Sequence, residues 1–193
     1  GVSLGWPSLG RNKKSVTIDL RTPRGRKIAR ELALKSDILI ENFRPGTLEK
    51  WGLGPADLWK DNPGLIYGRI SGYGQDGPYR HRASIGRIAN GFGGLSFLTG
   101  EADQRPVNPG SPMLADYTSG LYAAHGIMFA LRARETSGRG QVVDIGMYET
   151  IFRLTDEMAA VYDQTGKVRM RHGAAAPHAI PHNHYRTKDD RWI

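Results

Sequence analysis

Short apolar segments that alternate with helical patterns constrain the fold of this chain more than any other feature. Residues 38–40 are a short apolar run of the kind found in buried strands, residues 65–71 are predicted to form another strand, and residues 15–20 alternate polar and apolar side chains. Residues 23–33 between them have helical spacing, with Thr22 placed to cap that helix. This order predicts an α/β fold in which a parallel sheet is joined by right-handed crossovers.

The second half of the chain continues the alternation. A long helix is predicted from Pro112, with Ser111 as its cap, to a last turn that contains Arg132 and Arg134. It is followed by a strand over 141–145 and a helix over 147–164. Residues 185–193 have the pattern of a hairpin. We divide the chain into a loop or linker (1–14), an incomplete large domain (15–165), and a linker with the start of a smaller domain (166–193), and we expect a piece of a longer protein.

Composition excludes several classes of protein. With 39% hydrophobic residues, the 193-residue chain can bury a core, and without cysteine it has neither disulfides nor thiolate chemistry. A reducing, cytoplasmic location fits that composition, and since no apolar run approaches the ~20 residues of a membrane span, no membrane partner is expected. The net charge of +8 suggests an anionic partner. Arginines stand singly beside turns, so a compact phosphorylated ligand explains the charge as well as nucleic acid does.

Loops after the predicted strands are candidates for ligand binding. Ligands of open parallel sheets lie beyond the carboxyl ends of the strands, and the loops that start at Arg21, Asn42 and Gly72 follow such ends. They offer cations, a side-chain amide and glycines that let backbone N–H groups approach a phosphate. No dinucleotide or P-loop motif accompanies them.

Asp116 is the most distinctive single residue. It is the only acid in the long predicted helix, and it shares a helical stripe with Gly120 and Ala123. A second stripe begins with Leu114, Tyr117 and Leu121. Since both stripes consist mainly of apolar or small residues, we expect most of the helix circumference to be buried, with Asp116 in a spacious, buried position. Either a functional carboxylate or an acid selected by the helix dipole explains the residue.

Four histidines lie near the C-terminus, but their spacing does not favour a metal site. They occur in a loop rich in proline and alanine and form no i, i+4 pair on a helix, so no metal is expected. These histidines are His172, His178, His182 and His184.

Six motifs resemble those of the family III CoA-transferases, also called the CaiB/BaiF family, and the resemblance runs over residues 12–192. They are NKKS (12–15), IDLRTP (18–23), ENFRPG (41–46), ISGYG (70–74), ADYTSG (115–120) and TSGRGQ (136–141). The resemblance implies a Rossmann-like parallel sheet with flanking helices, within an interlocked, ring-like homodimer of longer chains. It also implies coenzyme A as a substrate, supplied as an acyl-CoA, and a carboxylic acid as acceptor.

The resemblance assigns roles to individual residues. Asp116 matches the family's nucleophile, which attacks the thioester to form an aspartyl anhydride. Residues that match CoA-binding positions are Ile18, Arg21, Asn42, Phe43, Arg44, Lys50 and, more loosely, Arg82.

One dipeptide departs from the pattern of the family. Many relatives have Phe-Asp, and the racemases His-Asp, where this chain has Ile85-Gly86. Isoleucine cannot transfer a proton, which favours CoA transfer over racemisation. A racemase or isomerase on the same fold, and a non-catalytic module that binds CoA or nucleic acid, remain as alternatives. Of these readings, CoA transfer without a nucleic-acid partner is our prediction.

Overall fold

A parallel three-stranded sheet organises the part of the chain that the structure describes, residues 3–176 and 178–193 of a computed structural model. The strands are β1 (Ile38–Glu41), β2 (Ile66–Ser71) and β3 (Val142–Gly146), in the order β1-β2-β3. Ile38 is opposite Ile66 and Tyr67 is opposite Val142. The predicted α/β class, with a parallel sheet, is confirmed.

Nine α-helices and one 3₁₀ turn surround this sheet within the described ranges. They are α1 (Gly5–Leu9), α2 (Pro23–Leu34), α3 (Thr47–Lys50), α4 (Pro55–Leu58), α5 (Gly86–Phe92), α6 (Leu95–Leu98), α7 (Leu114–Ser137), α8 (Met147–Phe152), the 3₁₀ turn Arg153–Thr155 and α9 (Met158–Thr165). None of the helices in the described ranges has both the length and the hydrophobicity that crossing a bilayer requires.

The core is divided between the two faces of the sheet. Neighbouring residues of a strand point to opposite faces, so Tyr67 and Ile66 belong to different clusters. Tyr67 packs with Leu58 and Leu65 on the side of α3 and α4, while Ile66 packs with Ile127 of α7. Helices therefore cover both faces, and the loops at the carboxyl ends of β1 and β2 remain at one edge.

The predicted first strand, residues 15–20, is wrong. This segment has no regular secondary structure, because none of the described strands pairs with it. Its polar groups make a local turn instead: the N–H of Thr22 donates to the carbonyl of Asp19 at 3.2 Å. The prediction that Thr22 caps α2 is confirmed, since its hydroxyl accepts a hydrogen bond from the N–H of Gly25 at 3.0 Å.

The long helix differs from its prediction in burial and in where it begins. α7 starts at Leu114, two residues later than expected, because Ser111 lies in a preceding turn and accepts from the N–H of Met113 at 3.2 Å. Only one stripe of the helix is buried, and it consists of Ala115, Ser119, Ala123, Ile127 and Ala130. The prediction that most of the circumference is buried is wrong, because the sheet contacts a single face of α7.

The C-terminal predictions have mixed outcomes. The helix expected over 147–164 is interrupted after Phe152 by the 3₁₀ turn and by Asp156, whose φ is +55°. The hairpin is confirmed as an isolated antiparallel bridge between Arg186 and Trp192.

Candidate active site

Two connected cavities lie at the carboxyl ends of β1 and β2. We call them the outer cavity, of about 240 Å³, and the inner cavity, of about 330 Å³. Both are lined by Asn42, Ser71, Gly72, Ser84 and Ile85, so they form one continuous cleft. The other residues of the outer cavity are Phe43, Arg44, Pro45, Arg80, Arg82, Ala83 and Ile88. The other residues of the inner cavity are Ile70, Gly86, Asp116 and Met147.

Asp116 lies in the first turn of α7 and faces the inner cavity. Contrary to the sequence-based expectation it is exposed, as is Gly120 one turn later, because the cleft opens beside this end of α7. Its carboxylate makes no hydrogen bond and no ion pair with any other residue that the structure describes. A carboxylate in this state has its lone pairs free for attack on an electrophile.

The Asp116 carboxylate occupies space that is free only because residue 86 is a glycine. A methyl group on Gly86 would lie 2.0 Å from Oδ2 of Asp116 and 3.0 Å from its Cγ, which is far inside contact distance. Gly86 itself is buried at the start of α5. The residue that departs from the family pattern therefore supplies the space that the Asp116 carboxylate occupies.

A buried ion-pair network holds the loop that follows β1. Nε of Arg69 donates to Oε1 of Glu41 at 2.7 Å, and its Nη1 donates to Oε1 of Glu49 at 2.6 Å. Arg69 and Glu41 are 6% and 5% exposed. The other carboxylate oxygen of Glu41 accepts from the N–H of Phe43 at 2.6 Å, which ties the loop to the network. Burial raises the pKa of Glu41 above its usual range, although the bonds from Arg69 and Phe43 oppose that rise.

Four of the predicted CoA-binding residues line the outer cavity: Asn42, Phe43, Arg44 and Arg82. The ring of Phe43 meets Trp51 edge to face, with 5.7 Å between centroids. The guanidinium carbon of Arg82 lies 4.2 Å from the centroid of the Tyr79 ring. The structure thus brings two cations, an amide and an aromatic ring to one concave surface.

The other three predicted CoA-binding residues line neither cavity. Ile18 and Arg21 belong to the irregular segment before α2, and Lys50 ends α3. Arg21 pairs with Asp19 at 2.9 Å, and this contact lowers the pKa of Asp19.

Sequence reasoning did not assign a role to Arg80, Ser71 or Ser84, which also line the cleft. Arg80 precedes Arg82 by two residues, so the basic character of that turn was a usable signal. Ser71 lies within the ISGYG motif, but nothing in the sequence shows that its hydroxyl is buried.

The histidines expected not to bind metal lie in exposed positions, and no group of three potential metal ligands occurs within the described ranges.

The chain is similar to named CoA-transferases over almost its full length. It is 52% identical over 191 residues to the succinyl-CoA–L-malate CoA-transferase alpha subunit of Chloroflexus aurantiacus, covering 99% of this chain and 45% of that protein. It is 39% identical over 182 residues to the succinyl-CoA:glutarate CoA-transferase of Mus musculus, covering 94% of this chain and 42% of that protein. The chain therefore spans less than half the length of these relatives.

A solved structure and a family profile agree with these similarities. The crystal structure of a CaiB/BaiF family protein from Brucella suis matches with a TM-score of 0.84 at 38% identity, covering 92% of this chain and 47% of that one. The profile described as CoA-transferase family III matches residues 1–193. The chain belongs to CoA-transferase family III, as its six motifs predicted.

Proposed function

We propose that this chain is part of an enzyme that moves CoA from an acyl-CoA thioester to a carboxylic acid. The observation that carries the proposal is the free carboxylate of Asp116 in an inner cavity that opens directly into an arginine-lined outer cavity. A phosphate-bearing CoA fits the cations of the outer cavity, and its thioester then reaches the inner cavity. The relatives at 52% and 39% identity both carry names of CoA-transferases.

The proposed reaction proceeds through covalent intermediates on Asp116. An oxygen of the carboxylate bonds to the acyl carbon, the C–S bond breaks, and CoA leaves as a thiolate with the electron pair. The thiolate then attacks Cγ of Asp116, releasing the first acid and leaving an aspartyl-CoA thioester. The acceptor carboxylate attacks this thioester, and the returning thiolate attacks the acceptor's acyl carbon, which regenerates the Asp116 carboxylate. Charge balances at each step without proton transfer.

The residues of the inner cavity favour this reaction over racemisation. Racemisation requires acid–base groups on both sides of the α-carbon. Ile85 lines the inner cavity at the position where the racemases have histidine, and it has no group that titrates. The concave arrangement of Arg44 and Arg82 also fits a compact anion better than an extended nucleic acid.

Replacing Asp116 tests the covalent mechanism in the full-length enzyme. Asp116→Asn is nearly isosteric, so folding and CoA binding should persist while transfer falls at least ~10³-fold, because an amide cannot form the anhydride. Hydroxylamine trapping followed by mass spectrometry should modify Asp116 in the wild type. Asp103→Asn, in an exposed loop, is the matched control and should keep full activity. Near wild-type transfer by Asp116→Asn, or trapping of another carboxylate, would disprove the mechanism. Should Asp116→Asn not fold, the test is repeated with Asp116→Glu. This variant keeps the charge but displaces the attacking oxygen, so its transfer rate should also fall.

Replacing Gly86 tests how the nucleophile is positioned. Gly86→Ala forces the Asp116 carboxylate to move by about 1 Å or more, so kcat should fall ~10- to 100-fold with little change in KM. Gly91→Ala is the control, since it lies on the same helix and, apart from its neighbours and the backbone of that helix, no described heavy atom lies within 4 Å of its added carbon. Equal kcat values for the two variants would show that the Asp116 carboxylate does not depend on this contact.

Calorimetry of CoA binding tests the phosphate contacts. Arg44→Ala should weaken CoA binding by about 1.5–3 kcal/mol, as for a lost charge-assisted hydrogen bond. We propose the same role for Arg21, which would exchange its contact with Asp19 for a phosphate. Arg24→Ala, exposed on α2, is the control. A loss confined to CoA and absent for dephospho-CoA assigns an arginine to the ribose phosphate. Equal losses for CoA, dephospho-CoA and pantetheine would mean that the arginine only supports its loop.

We also propose that the enzyme is a homodimer. α7 exposes large apolar side chains on the face away from the sheet, and Leu121, Met128 and Phe129 are 63%, 64% and 74% exposed. Large apolar side chains exposed close together on one helix are typical of interfaces between subunits.

Light scattering after size-exclusion chromatography should give a dimer for the full-length protein. Replacing Met128 and Phe129 with serine should shift the dimer towards monomer, because it removes apolar surface from the interface. Glu135→Ser on the same helix is the control and should not change the mass. A wild-type monomer at all concentrations would contradict the proposal.

A further inference from the structure

The side chain of Asn42 lies where the outer and inner cavities meet. Five residues line both cavities, namely Asn42, Ser71, Gly72, Ser84 and Ile85. Among their side chains, only the amide of Asn42 is a donor that is exposed and has no partner in the described part of the chain. The Ser71 hydroxyl is buried, and the Ser84 hydroxyl donates to the carbonyl of Ile85 at 3.4 Å.

The fold fixes the backbone on both sides of Asn42. Glu41, the last residue of β1, is buried and accepts from Nε of Arg69 at 2.7 Å. The same carboxylate accepts from the N–H of Phe43 at 2.6 Å, so the side chain of Glu41 bridges across Asn42. A donor on a backbone that is already fixed needs less reorganisation when the substrate reacts, which is the condition for electrostatic catalysis.

Asn42 is on the same side of the sheet as the proposed nucleophile. Successive residues of an extended chain point to opposite faces, so Ile38 and Asn42 share one face and Glu41 points to the other. Ile38 packs against the cluster that contains Ile127 of α7. Since α7 also carries Asp116, the amide and the carboxylate reach the inner cavity from two different elements.

The attack of Asp116 on a thioester creates a charge that a donor can stabilise. The electron pair of the carbonyl moves onto its oxygen, which becomes an oxyanion. If CoA occupies the outer cavity and Asp116 attacks from the inner one, the thioester lies at their junction, where Asn42 is. A donor aimed at the oxygen speeds acyl transfer because it stabilises the charge as it develops.

We propose that Nδ2 of Asn42 donates a hydrogen bond to the acyl carbonyl oxygen of the thioester that Asp116 attacks. The proton stays on Nδ2 throughout, so the step needs no further acid or base. When the C–S bond breaks, the electron pair on oxygen re-forms the carbonyl and CoA leaves as a thiolate. This inference rests on the proposed CoA-transferase function. It assigns the Asn42 amide to the reacting carbonyl, whereas the family resemblance gives it only as a CoA-binding position.

Single-turnover kinetics of the full-length enzyme test the proposal. Asn42→Leu has a similar size and no donor, so formation of the acyl-Asp116 adduct should slow by about 100-fold or more. The affinity for free CoA, which has no acyl carbonyl, should not change in calorimetry. Asn42→Ser retains a donor on a shorter side chain and should have an intermediate rate. Asn108→Leu, in an exposed loop, is the matched control and should keep the wild-type rate.

A sulfur-substituted substrate separates catalysis from support of the loop. In a dithioester analogue of acyl-CoA, sulfur replaces the carbonyl oxygen and accepts hydrogen bonds weakly. The wild type should therefore lose more rate than Asn42→Leu when oxygen is replaced with sulfur, because the variant has no donor to lose. A displaced loop would instead slow the reaction of both substrates equally.

Three results would overturn the inference. They are a wild-type acylation rate in Asn42→Leu, a loss confined to the affinity for free CoA, which would assign the amide to the CoA arm, and the same oxygen-to-sulfur rate ratio in Asn42→Leu and the wild type. Should Asn42→Leu not fold, an Asn42→Ser variant with the wild-type rate and ratio overturns it as well.

The Asp116→Asn result separates this inference from the proposed function. If Asp116→Asn abolishes transfer while Asn42→Leu does not slow acylation, only the role of Asn42 is wrong. An active Asp116→Asn contradicts the proposed function itself.

Discussion

The buried contact between Arg69 and Glu41 is the interaction on which the architecture of the cleft depends. It joins the end of β1 to β2 and, through Glu49, attaches α3 to both strands. Removing one partner of such a pair leaves a charge in the interior, which costs several kcal/mol, so the three side chains act as a unit. Because Glu41 also accepts from the N–H of Phe43, the network fixes the loop that carries Asn42, Phe43 and Arg44 into the outer cavity.

Three residues of the inner cavity depart from the packing rules that the rest of the fold obeys. Among the residues that the structure describes, the Asp116 carboxylate and the buried Ser71 hydroxyl have no hydrogen-bond partner, and Gly86 has no side chain where one would displace the Asp116 carboxylate. Functional sites commonly depart from local rules that the rest of a fold obeys, and here the departures lie together in one cavity.

The two faces of α7 have different roles. Small residues such as Ala115 and Ala123 let the buried face approach the sheet and α5, which brings Asp116 close to Gly86. The opposite face carries large apolar residues that nothing in the described ranges covers. The same helix thus connects the proposed subunit interface to the proposed nucleophile.

The sequence by itself determined the parallel α/β order, the cap of α2 by Thr22 and the family, because hydrophobic period, capping residues and short motifs are local properties. It also predicted that the arginine-bearing loop after β1 lies at the edge of the sheet where ligands bind, since carboxyl ends of parallel strands meet at one edge, and it made Asp116 the candidate nucleophile. Only the tertiary structure decided that residues 15–20 form no strand, because strand formation requires a partner. It also decided that Asp116 is exposed, that Gly86 makes room for it and that Ser71 is buried without a partner in the described part of the chain, since these properties arise from contacts between segments far apart in the chain.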